Sequence, residues 1–105
     1  MREFFHYTLE SNIPNIMKTG MSSNISYFTT TEYFNSNQAG DECGVRAHNI
    51  NCVLKFRDDG RFRSDGFVQS AGRFNSGANQ WSHPAKPKPI AKRKIYERHW
   101  TPLNY

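Results

Sequence analysis

The residues of this chain that could do chemistry are four histidines, a tyrosine followed by three threonines, and a late run of amides beside a tryptophan. His6, His48, His83 and His99 are candidate acids, bases or ligands, because imidazole titrates closest to neutral pH. Position has to separate them. His6 lies among Phe5, Tyr7 and Thr8, where a buried ring must find a hydrogen-bond partner; it is either a satisfied core histidine or a donor aimed at a ribose hydroxyl. Tyr27 is followed by Phe28 and by Thr29, Thr30 and Thr31, so a flat ring and several hydroxyls converge where a helix could begin. A nucleobase or planar cation stacks on such a ring; the plainer alternative makes Tyr27, Phe28, Tyr33 and Phe34 core aromatics. Gly77-Ala78-Asn79-Gln80-Trp81 adds amides, which bind hydroxyls but do not exchange protons as carboxylates do.

These groups need elements to hold them. Glu3 to Thr8 has the aromatic content of a strand. Leu9, Ile13, Ile16 and Met17 then recur at helical spacing, with Ser11 or Asn12 as cap and Gly20 as stop. Asn24 to Thr30 predicts a second strand, after which Thr31 would cap a short helix through Glu32, Tyr33 and Phe34. Gln38 to Asn49 reads as a loop or irregular helix. Ile50, Cys52, Leu54 and Phe56 alternate with Asn51, Val53, Lys55 and Arg57, predicting a half-buried strand that ends at Asp58-Asp59-Gly60. Phe62 and Phe67-Val68 suggest short extended pieces. Gln69 to Trp81 is rich in small and amide residues that let backbone approach a ligand. Pro84, Pro87 and Pro89 make an extended connector, and Ile95, Tyr96 and Trp100 suggest a last strand among Lys92, Arg93, Lys94 and Arg98. Short strands, two short helices near the N-terminus and no internal repeat give an α+β class, mostly β.

A chain of 105 residues has room for one domain, residues 1–105. Aromatics reach 14% while hydrophobics as a whole are only 36%, so the core is built around rings. Cys43 and Cys52 show no CxxC spacing, which leaves too few thiolates for a structural zinc site; no metal is expected, and Cys52 belongs to the core. No apolar run approaches the ~18 residues of a membrane span, and the start lacks the apolar core and cleavage site of a signal peptide, so a soluble chain is expected. Lys and Arg number 14 against nine Asp and Glu, a formal charge of +5, which favours nucleic acid, nucleotide phosphates or an acidic protein as partner.

Taken in order, Phe5-His6-Tyr7-Thr8, a short helix ending near Gly20, Tyr27-Phe28-Thr29-Thr30-Thr31, and Gly77-Ala78-Asn79-Gln80-Trp81 resemble the His-Tyr-Glu group of ADP-ribosyltransferases. The likeness is to the small toxin domains of bacterial polymorphic-toxin systems and, more distantly, to rifampin ADP-ribosyltransferase. It runs from Phe5 to about Trp100. The resemblance implies a fold of short, mostly antiparallel strands in two packed sheets. It also implies NAD as donor substrate, transfer of ADP-ribose to a macromolecule, and a toxin or effector secreted or delivered into the cytosol of a target cell. His6 would hydrogen-bond a ribose of NAD, with Tyr7 and Thr8 beside it. Tyr27 would stack on the nicotinamide ring, with Thr29 on the same strand face and Tyr33 as a second wall. Gln80 falls where relatives carry the catalytic Glu, and His6, Tyr27 and Gln80 would line one cleft.

That glutamine is the departure from the pattern. Cleaving a nicotinamide-ribose bond builds oxocarbenium character, and hydrogen bonds to the neighbouring 2-hydroxyl strengthen as it does. A carboxylate accepts that bond, stabilises the positive charge and can take a proton from the acceptor; Gln80 keeps only the hydrogen bond. Either the acceptor is already nucleophilic, or the chain is an inactivated variant, or another carboxylate substitutes, Glu97 and Asp65 being the candidates. Glu32 and Glu42 read as surface. The basic residues, Lys86, Lys88, Lys92, Arg93 and Lys94 above all, read first as a solvated face; their number exceeds what NAD pyrophosphate requires and tilts the acceptor towards RNA or DNA. An acidic cognate immunity protein would suit the charge. The rival is a basic RNA-binding module or small metal-independent ribonuclease, with His48, His83 or His99 as acid and base and His6 and Tyr27 as core; a protein-interaction domain without chemistry is a further alternative.

Overall fold

The centre of the fold is a strand, β2 (Cys52–Arg57), whose residues Cys52, Val53 and Leu54 are each no more than 1% exposed. The computed structural model describes residues 2–21, 28–67 and 79–103, without the side chains of 65–67. β1 (Glu3–Thr8) pairs antiparallel with β2 from Glu3 opposite Arg57 to Thr8 opposite Cys52. On its other side β2 pairs with β5 (Ala91–Lys94), and β5 with the short β6 (Thr101–Pro102). The four-stranded sheet thus runs β1-β2-β5-β6. A second, two-stranded antiparallel sheet joins β3 (Arg63–Phe67) to β4 (Asn79–Ser82).

Both faces of the larger sheet are covered, which is why alternation along β2 does not produce a wet side. Side chains two apart on a strand share a face. Phe4, Cys52, Leu54 and Phe56 pack with Ile13, Met21, Phe28 and Phe62, beneath Ile16 and Met17 of α1 (Ile13–Thr19). Phe5, Tyr7 and Val53 pack with Tyr33, Ala39, Ile50 and Ile95 on the α2 side (Ser36–Cys43). The strand predicted as half-buried is therefore buried on both sides.

The first helix matches the spacing, although Asn12 turns its side-chain amide back to donate to the Thr8 hydroxyl at 2.9 Å and makes no side-chain cap. It stops at Gly20, where φ is +77° and a Cβ would stand 2.4 Å from the Lys86 carbonyl oxygen; the Pro-rich connector lies too close for any side chain there. The second helix starts later than its threonines suggest. Tyr7 donates its hydroxyl proton to the Thr31 carbonyl at 2.9 Å and accepts from the Tyr33 N–H at 2.7 Å, which commits residues 31–33 to β1. Helix α2 begins instead behind Asn35, whose side-chain oxygen accepts from the Gln38 N–H at 2.6 Å. Residues 79–82, the end of a segment read from composition as small and amide-rich, form β4 because β3 pairs with them, and Phe28 adds a bridge to Trp81 on the other side. Ile95 and Tyr96 form a turn rather than a strand.

Phe28 and Thr29 stitch the two sheets together. Thr29 exchanges both backbone hydrogen bonds with Phe5 of β1, at 2.8 and 3.0 Å, and Phe28 exchanges both with Trp81 of β4, at 2.8 and 2.7 Å. Most of the predicted second strand, Asn24 to Tyr27, lies outside the described residues.

Candidate functional site

The pairings just given put His6, Phe28 and Trp81 in one cross-strand line, and Phe5, Thr29 and Gln80 in the next. His6 is half-buried on the Phe4 and Thr8 face of β1, with its ring centroid 6.0 Å from that of Phe28. Two strand spacings, roughly 10 Å, separate β1 from β4. Gln80 is half-buried beside Trp81, whose ring packs on the Phe4 cluster; regular alternation turns Gln80 to the opposite side, that of Thr29. Among the described residues a single pair, Phe5 with Thr29, joins β1 to the bridging segment, against six pairs between β1 and β2. Tyr27, the third expected site residue, lies outside the described residues.

Asn79 clasps the threonines next to this joint. Thr29, only 3% exposed, donates its hydroxyl proton to Asn79 Oδ1 at 2.7 Å and accepts from the Thr31 N–H at 3.2 Å. Asn79 Nδ2 donates to the Thr30 hydroxyl at 2.6 Å. The clasp fixes β4 against the bridging segment and so fixes Gln80. Thr8 is also buried, with its hydroxyl taken by Asn12.

Tyr7 and Tyr33 are packing residues of the α2 face, with ring centroids 5.5 Å apart. Burial pushes both phenols up; that of Tyr33 reaches about 12, helped by the nearby Cys43 and Glu42. The residues that the resemblance assigns to NAD therefore divide between faces, His6 and Thr8 on one, Tyr7, Thr29 and Tyr33 on the other.

Beside Tyr33 sits Arg93, whose side chain is 0% exposed. Its Nε and Nη2 hold Glu32 Oε2 at 3.0 and 2.9 Å, and Nη2 also donates to the Tyr33 carbonyl at 2.8 Å. Nη1 donates to the carbonyls of Lys94, Ile95 and Glu97 at 3.0 to 3.2 Å. Arg93 and Glu32, expected on the surface, are thus an internal hub, and β-strand alternation within Lys92-Arg93-Lys94 was the available signal.

The remaining histidines separate cleanly. His83, 3% exposed, accepts from the Ala85 N–H at Nδ1, 3.0 Å, and so presents Nε2–H to Asp59 Oδ2 at 2.9 Å. Both ring nitrogens are spent, which removes His83 as acid or base. His48 stands exposed on the 3-10 turn Ala47–Asn49. His99 borders a cavity of about 310 Å³ that it shares with Glu10, Lys92, Lys94, Glu97 and Thr101, with Cys52 among its lining residues. Cys52 opposes both Thr8 and Lys94, and Leu54 opposes both His6 and Lys92, so the cavity lies on the His6 face, towards β5. Glu97 follows β5 in a turn. From β5 to β4 is four strand spacings, roughly 19 Å across a flat sheet, which argues against Glu97 as a stand-in for Gln80. Asp65 lies on β3 with its side chain outside the described residues.

Cys43 and Cys52 are both free thiols, and burial pushes the Cys43 thiol up to about 12, far from a reactive thiolate. No described helix is long and apolar enough to cross a membrane. In comparisons with known proteins, no family model, no curated protein and no solved structure matches the chain.

Proposed function

We propose that the chain is an ADP-ribosyltransferase of toxin or effector type, which cleaves the nicotinamide-ribose bond of NAD and passes ADP-ribose to a macromolecule. One observation carries the reading. The segments bearing the three sequence motifs, far apart in the chain, are consecutive hydrogen-bonded neighbours: β1 with His6, then Phe28–Thr29, then β4 with Gln80. Six aligned pairs hold β1 to β2, while one pair among the described residues holds it to the bridging segment. Regular alternation turns His6 and Gln80 to opposite faces, so one dinucleotide would reach both by lying across the seam between these strands. His6 would bond a ribose hydroxyl, Tyr27 would stack on the nicotinamide, and Gln80 would accept from the 2-hydroxyl, held in place by the Asn79 clasp. Tyr7 and Tyr33 support this arrangement from the core.

The separation of β5 from β4 argues against Glu97 as a substitute carboxylate and leaves Asp65, on the neighbouring β3, as the candidate for that role. An inherently nucleophilic acceptor and an inactivated chain stand beside it, and the charge of +5 keeps nucleic acid as the favoured acceptor class. Nicotinamide release from NAD decides between them. We expect Gln80→Glu to raise release on the order of 100- to 1000-fold, the usual worth of one preorganised electrostatic group, and His6→Ala to lower it in that background. Release by the unaltered chain, stimulated by RNA, would make Gln80 a working residue. Silence from both chains, with no NAD binding, would sink the proposal.

A further inference from the structure

We propose that the cavity between Glu10 and β5 binds a ribonucleotide unit, with Lys92, Lys94 and His99 on the phosphate and Glu10 and Glu97 on sugar hydroxyls or base N–H groups. The mixed lining selects the ligand. Two ammonium groups and an imidazole stand with two carboxylates around about 310 Å³, near the lower limit for ligand pockets, which suits a mononucleotide better than a dinucleotide. A bare phosphate would meet the repulsion of both carboxylates, and a purely apolar ligand would leave all five ionisable groups without a partner. A nucleotide uses both kinds of group, because its phosphate takes cationic donors and its hydroxyls and ring N–H groups need acceptors. Lys92 stands 3.7 Å from Glu10, so an incoming phosphate meets Lys94 and His99 without displacing a tight ion pair.

The walls are built before any ligand arrives. Asn51 accepts from the Glu10 N–H through its side chain at 2.7 Å and from the Ile95 N–H through its carbonyl at 3.1 Å, tying the two sides together. Buried Arg93 gathers the carbonyls of Lys94, Ile95 and Glu97, which fixes the turn that carries Glu97 and leads to His99. Such preorganisation spares a ligand the cost of ordering its site. The site stands whether or not the chain cleaves NAD; if it does, the cavity lies on the His6 face and would present an acceptor nucleotide.

Calorimetric titration of the whole chain with adenosine and guanosine 5′-monophosphates, a short single-stranded RNA, inorganic phosphate and ribose tests this. We expect a mononucleotide to bind at least about tenfold more tightly than phosphate or ribose, Lys94→Ala to weaken it roughly tenfold, and Glu97→Gln to weaken it less. Both substitutions are on exposed side chains, and an unchanged circular dichroism spectrum secures the comparison. Tighter binding of RNA that is equally sensitive to Lys94→Ala would identify an RNA strand as the source; binding of mononucleotides alone would identify a free nucleotide. Phosphate binding as tightly as a nucleotide, tighter nucleotide binding by Glu97→Gln, or no binding at all would overturn the site. NAD affinity is measured on the same variants: loss with Lys94→Ala would merge the cavity with the donor cleft and overturn it as a separate site, whereas failure of Gln80→Glu to release nicotinamide would leave it standing.

Discussion

The two faces of the four-stranded sheet dispose of their polar groups in opposite ways. On the α2 face, the Tyr7 hydroxyl makes two hydrogen bonds to backbone and the Arg93 guanidinium is wrapped by Glu32 and four carbonyls. Every such group is consumed by the protein itself. On the α1 face, Lys92, Lys94 and His99 open onto a cavity. The contrast teaches where to look for function, because groups saturated internally stabilise the fold, whereas groups left facing space are available to a ligand. It also makes sense of the aromatic composition: the guanidiniums of Arg93 and Arg98 stand over the Phe34 ring at 4.4 and 4.3 Å, and Trp100 stacks near Phe5 while holding Lys55 at 4.2 Å. Rings there serve as walls for cations.

If that division is right, the largest effect of any single substitution in the sheet comes from Arg93. Arg93→Ala takes the donor from four carbonyls and leaves Glu32, whose side chain is 32% exposed, partly to water; the loss is therefore expected at the low end of that for breaking a buried pair, about 3 kcal/mol. We expect a loss of that size in urea denaturation. Arg93→Lys should recover little, since an ammonium cannot serve donors in several directions at once. A loss below about 1 kcal/mol would break the comparison, placing Arg93 among the solvated surface charges.

Tyr7→Phe sharpens it. The substitution keeps the ring against Tyr33 and deletes only the hydroxyl, stranding the Tyr33 N–H and the Thr31 carbonyl. One buried unsatisfied group costs roughly 1–3 kcal/mol, and we expect a loss in that range by thermal unfolding, with nicotinamide release and nucleotide affinity unchanged. A changed affinity at unchanged stability would move Tyr7 from packing to binding.

How far this division was legible in the sequence depends on range. β1, α1 with its Gly20 stop, and β2 were readable because each carries its own periodicity or punctuation. The position of α2 was not, since Thr31 and Asn35 are both good caps and the choice is made by Tyr7, 24 residues before Thr31. β4 was hidden because an amide-rich segment becomes a strand only when a partner, here β3, supplies its ladder. Arg93 sits in a basic run where alternation hints that the middle residue faces inward, but what buries it, Val53 opposite on β2 and Glu32, is distant in sequence. The motif segments were legible in order, and β1, Phe28–Thr29 and β4 do lie side by side, although which face each side chain takes was not. The cavity was not, because Glu10, Lys92 and His99 meet only through strand pairing.

The smallest effect tests whether the α1 face also has weak internal bonds. Its buried His83 packs edge-on to Phe62, with centroids 4.7 Å apart, and donates to Asp59, whose side chain is 44% exposed. Burial alone would raise the Asp59 carboxyl, but the His83 bond and the Arg61 N–H outweigh it and hold it below the usual range. A carboxylate lowered in the folded state stabilises above its unfolded value near 4 and loses that contribution as pH falls through the folded one. Because solvent screens the exposed partner, Asp59→Asn should cost only about 0.5 kcal/mol at pH 7, and its difference from the unaltered chain should close as pH drops below about 4. Denaturation midpoints from pH 7 to pH 2.5 measure this directly. A loss near that of Arg93→Ala, or a difference that persists at low pH, would mean that His83 and Asp59 form a hub of their own and that the two faces are more alike than their burial suggests.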